Sequence, residues 1–145
     1  MTVMVAIRIG AGSRAAVAAA EQLADRLGAR LRLLYVAMEL EAVPELAVAA
    51  GQPEDAVRER MLAEIRERCV AELGEPLPGD LLVREGEVPE TVARAAVEVS
   101  ADFIVVGMKG RSALARLVLG DTTNAILERA PCPVVVIPPA ITQSS

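Results

Sequence analysis

Three glycines with a spacing suited to anion binding stand in the last third of the chain. Gly107, Gly110 and Gly120 form a Gly-x2-Gly-x9-Gly pattern, with Asp121 and Thr122 directly after the last. The chemistry this allows is backbone recognition. Without a Cβ, successive N–H groups can approach phosphate oxygens closely, and a helix starting just after Gly120 would add about half a positive charge. Lys109, Arg111 and Arg116 lie in the same stretch and read either as phosphate contacts or as a solvated surface, with Arg111, beside Gly110, the best placed for contact. The glycines themselves have a second reading, as turns closing a strand-to-helix connection, and their spacing alone does not separate the two.

Other chemistry is closed off by composition. The 145 residues include no histidine, which removes Ser-His and Cys-His nucleophile activation and the commonest transition-metal ligand. Cys69 and Cys132 show no Cys-x-x-Cys spacing and read as small buried hydrophobes. No base is evident to orient water, so no catalytic residue is expected and at most a weak ATPase; Asp121 reads as a residue capping a helix. The net charge of −5 is interspersed, with no basic stripe, and the two aromatic residues, Tyr35 and Phe103, offer no stacking platform. Nucleic acid is therefore not an expected partner. No apolar run approaches the roughly 20 residues that cross a bilayer, and residues 1–12 lack the basic start and cleavage site of a signal peptide. The expectation is a cytoplasmic protein without a membrane partner.

The glycine loop needs a frame to hold it. Residues 3–9 are almost continuously apolar until Arg8, the pattern of a parallel strand buried on both faces. Ser13 then reads as the cap of a helix in which Ala16, Val17, Ala20, Leu23, Ala24 and Leu27 recur at helical spacing, with Gly28 as its C-terminal cap. A second strand follows over residues 31–36, then a stretch, 38–52, without a clean period that reads as a loop with a short helical turn. From Glu54, residues Val57, Met61, Ile65, Cys69 and Leu73 fall four apart and predict a helix closed by Gly74. A short strand over 81–84, a helix from Pro89, a strand over 103–106, a helix over 122–130 and a last strand over 134–137 complete the chain, with 138–145 expected to fray. Strands alternating with helices throughout predict one α/β domain over 1–145, a mainly parallel sheet covered on both faces. Ligands of such sheets sit beyond the carboxyl ends of the strands, where the winding reverses.

Several separate segments together resemble one family. The run DFIVVG over 102–107, the glycine loop and APCPVVVI over 130–137 are similar to the carboxyl-terminal signature of the universal stress proteins. The likeness extends to the first strand, to Ser13 and the alanines after it, and to the start of a helix at Gly86-x-x-Pro89. This resemblance implies a five-stranded parallel sheet in the order 3-2-1-4-5 with helices on both faces, of the adenine nucleotide alpha hydrolase-like type, in a dimer with stress-response duties. Some members bind ATP and some do not. Carried over by position, the base and ribose would meet Ala6, Ile7, Arg8, Val36 and Val106. The phosphates, with Mg²⁺ accompanying them, would meet Gly107, Gly110, Arg111, Gly120, Asp121 and Thr122. ATP or a related adenine nucleotide is the implied ligand; a dimeric interaction module that holds no nucleotide is the alternative.

Two positions depart from that pattern. Arg8 stands where binders carry an acid, and Asp121 where they carry a hydroxyl. At about 4 Å and an effective dielectric near 20, each unit of phosphate charge would repel Asp121 by roughly 4 kcal/mol. Arg8 is expected to reach across and pair with it, partly filling the site. The apolar last strand, Val134, Val135, Val136 and Ile137, would be a sheet edge in the implied order, and is expected to pair with its copy in a homodimer.

Overall fold

The computed structural model describes residues 1–8, 13–108 and 120–138. Branched aliphatic runs form the strands β1 (Thr2–Ile7), β2 (Arg30–Val36), β3 (Asp80–Arg84), β4 (Phe103–Gly107) and β5 (Val134–Ile137). They pair in parallel in the order β3-β2-β1-β4-β5, as expected. Ile9, placed at the end of the first strand by its sequence, lies outside the described residues, as do the tail residues 139–145.

Alternation along the strands divides the core in two. Val3, Val5, Leu31, Leu33 and Val105 face one side, where α1 (Ser13–Leu27), α2 (Val43–Ala50) and α3 (Glu54–Leu73) cover them. Met4, Leu34, Leu82, Ile104 and Val106 face the other, under α4 (Val88–Glu98) and α5 (Asp121–Arg129). This division follows from handedness. Right-handed crossovers that step from β1 to β2 to β3 lay their helices on one face, and those that return to β4 and step outward to β5 lay theirs on the other. The packing of α1 is close because its inward residues are small: Ala16, Val17, Ala20 and Ala24 are all buried.

The stretch expected to be mostly loop is more ordered than its sequence suggested. Residues Met38–Ala42 form a 3-10 turn and Val43–Ala50 a full helix, with Pro44 in its first turn and Gly51 closing it in the left-handed region. Its inward face is only Val43 and Ala47, too narrow a stripe to show as a period. Elsewhere the expected elements hold to within one or two residues.

Two glycines are held for different reasons. Gly28 ends α1 at φ +63°, with its N–H on Asp25 and that of Ala29 on Ala24, and open space where a Cβ would stand. Gly79, just before β3, has no such backbone, but a Cβ there would fall against the Leu31 carbonyl. Gly28→Ala should therefore cost about 1 kcal/mol, the price of the left-handed backbone. Gly79→Ala should cost more, because main chain must move; urea unfolding of both variants measures the order, and equal losses would contradict it.

Candidate functional site

The reversal of winding leaves a gap between the carboxyl ends of β1 and β4, since the chain leaves these neighbouring strands toward opposite faces. A cleft of about 360 Å³ opens there. Its wall contains Ala6, Ile7 and Arg8 from the end of β1, Val36 from β2, Val106 and Gly107 from β4, and Gly120, Asp121 and Thr122 at the start of α5. Nine of the sequence-derived site residues thus come together. Gly110 and Arg111, with Lys109 and Arg116, lie outside the described residues.

The cleft also has walls that sequence reasoning did not assign to it: Ser13, Ala16, Val88, Met108, Thr123 and Ile126. A signal existed for Ile126, which stands four residues after Thr122 and so shares its side of the helix. Val88 comes from α4, whose first turn starts one residue earlier than Pro89.

Ser13 has a specific task. Its buried hydroxyl accepts the Arg8 N–H at 2.7 Å and donates to the Arg8 carbonyl. A hydroxyl can do both at once, so one side chain satisfies both polar groups of a residue past the end of its strand. Arg8 is thereby fixed at its backbone while the residue remains exposed.

At the opposite side the helix α5 begins without a side-chain cap. Gly120 takes the cap position in extended conformation, and Asp121 is the first helical residue rather than the cap itself. A carboxylate in a first helical turn still interacts favourably with the helix dipole.

The expected pairing of Arg8 with Asp121 is not made. The ion pairs among the described residues join Arg32 to Asp80, Arg58 to Glu85, Arg68 to Glu39 and Arg84 to Glu98. The reason is the sheet itself. Arg8 is tied by Ser13 to the start of α1, which covers one face, while Asp121 opens α5, which covers the other, so the two side chains start from elements on opposite faces.

One wall is braced from behind. Tyr35, next to Val36, donates its hydroxyl to Glu39 Oε2 at 2.7 Å, and Arg68 of α3 reaches the same oxygen at 3.3 Å. The three side chains join β2, the 3-10 turn and α3.

Comparison with known proteins fits this geometry. The model of the universal stress protein family matches residues 1–138. The chain belongs to the universal stress protein family. A universal stress protein of Thermus aquaticus is 35% identical over 127 residues, which are 85% of this chain and 86% of that one. Among solved structures, universal stress protein UspA from Lactobacillus plantarum has a TM-score of 0.64 at 26% identity, covering 94% of this chain and 97% of its own. A universal stress protein from Archaeoglobus fulgidus in complex with dAMP has a TM-score of 0.64 at 19% identity, with coverage of 94% and 97%. The strand order β3-β2-β1-β4-β5 is the one the family resemblance implied.

The brace behind the family's cleft can be read directly, because Tyr35 is the chain's single tyrosine. Burial, and then the hydrogen bond to Glu39, push its pKa from 10.0 up to about 12. The neutral phenol is what the fold favours, so its contribution to stability is complete below pH 10 and is lost as the pH rises toward 12. Ultraviolet titration should show phenolate appearing with a midpoint near 12 in the native protein. In Glu39→Gln the midpoint should move back toward the ordinary value, and a native midpoint at 10 would remove the brace.

Proposed function

We propose that this chain is an adenine-nucleotide-responsive regulatory module of the stress response, with the nucleotide held in the cleft between β1 and β4. The carrying observation is the cleft's construction: aliphatic walls from three strands, sized for a small molecule, opening onto a helix start whose cap is a glycine. Ala6, Ile7, Val36 and Val106 offer an apolar bed for a purine, and the first N–H groups of α5 offer donors for phosphate. The A. fulgidus universal stress protein in complex with dAMP supports the choice of adenine. Mg²⁺ would arrive with a polyphosphate: among the described residues Asp121 is the one carboxylate of the lining, too few for a protein-made cage but compatible with a hydrated ion on phosphate. A cytoplasmic home suits the two free thiols, Cys69 and Cys132.

A second reading, a dimeric interaction module without nucleotide, is favoured by Asp121, whose negative charge sits where phosphates would lie. Mass spectrometry of protein purified without added ligand, followed by calorimetry with AMP, ADP and ATP, separates the two. We expect an adenine nucleotide to be found or to bind, and Asp121→Ser to strengthen ATP binding by about tenfold or more, the direction set by charge repulsion. No binding by either protein would leave the interaction module standing.

In both readings the homodimer forms through β5. This strand is a sheet edge of four half-buried aliphatic residues with no charge among them, and a free edge offers unpaired N–H and C=O groups to a second copy. Val135→Lys or Val136→Lys should give monomer or aggregate in sedimentation velocity; a dimer unaffected by both would place the interface elsewhere.

A further inference from the structure

We propose that Arg8 makes the cleft discriminate in favour of nucleotides that carry a phosphate on the 2′- or 3′-oxygen of the ribose in addition to one at the 5′ position. This rests on the nucleotide reading above. The cleft lining combines aliphatic side chains with two polar features that form no ion pair with one another. One is the start of α5, where the cap is a glycine, the first N–H groups have no capping side chain and Asp121 is the first helical residue. The other is Arg8, which lines the cleft, is exposed, and takes part in none of the ion pairs among the described residues. Its backbone is held at both polar groups by Ser13, so the guanidinium extends from a fixed origin.

A ligand with all its phosphates at the 5′ position satisfies one feature and leaves the guanidinium to solvent. A ligand phosphorylated on both sides of the sugar satisfies both. The guanidinium suits this task because its planar fork binds two phosphate oxygens at once. Doubly wound α/β folds obey the same rule elsewhere: an acid near the ribose selects the free hydroxyl, whereas an arginine accommodates a ribose phosphate. ADP and the adenosine bisphosphates carry the same number of phosphates, so the comparison holds phosphate number fixed, and the 2′,5′ and 3′,5′ isomers, which carry the same charge, separate position from charge.

Calorimetry with AMP, ADP, adenosine 2′,5′-bisphosphate and adenosine 3′,5′-bisphosphate on the full chain tests this. In the wild type, one of the bisphosphates should bind at least about tenfold more tightly than ADP, the scale of a hydrogen-bonded ion pair. Arg8→Ala should bring that ratio to within about twofold of one, and Arg8→Lys should retain part of it. If AMP or ADP binds but neither bisphosphate is preferred, or if the preference survives in Arg8→Ala, the role of Arg8 is overturned and the nucleotide reading stands. If none of the four ligands binds, both are overturned together.

Discussion

The connections of a parallel sheet are right-handed, and this chain must obey that rule while stepping first to one side of β1 and then to the other. The helices consequently change face between the two halves, and β1 and β4 become neighbours whose continuations part company. Nothing in the local sequence around Ile7 or Gly107 makes a cleft. The topology does, by denying the space beyond those two strand ends to any connecting helix.

That same parting sets the electrostatics. Residues that follow β1 belong to the α1 side and residues that open α5 belong to the opposite side, so Arg8 and Asp121 share a cleft without sharing a contact. Each charge is left to act on a ligand. Had both risen from the same face, they would have been free to cancel, and the cleft would have offered a ligand its aliphatic walls and the first N–H groups of α5 without either charge.

What the sequence disclosed and what it hid divide along physical lines. Buried parallel strands advertise themselves, since both faces must be apolar, and β5 was read to the residue. Helix α3 was equally plain, with Val57, Ile65 and Cys69 inward at helical spacing. Helix α2 was hidden because two inward residues make no period. The cleft's strand residues were legible from their order, but Ser13 was read only as a cap, and its bonds to Arg8 depend on a turn that no propensity describes. The Tyr35, Glu39 and Arg68 brace spans 29 positions between Glu39 and Arg68, a distance that pattern reading does not bridge. The Arg8 to Asp121 pairing is absent for a related reason: the adjacency of β1 and β4 is legible in the sequence, while the face from which each side chain rises is not.

The two rims of the sheet are finished differently. β3 carries Asp80 and Arg84, and Arg84 is held by both carboxylate oxygens of Glu98 on α4, which keeps the Glu98 carboxyl below its ordinary range. β5 carries neither charge nor ion pair among the described residues. A slab with two bare rims has a valence of two and grows without limit, as fibrils do. With one rim charged and the other bare the valence for strand pairing would be one, and an assembly built through the bare rim would terminate at two copies.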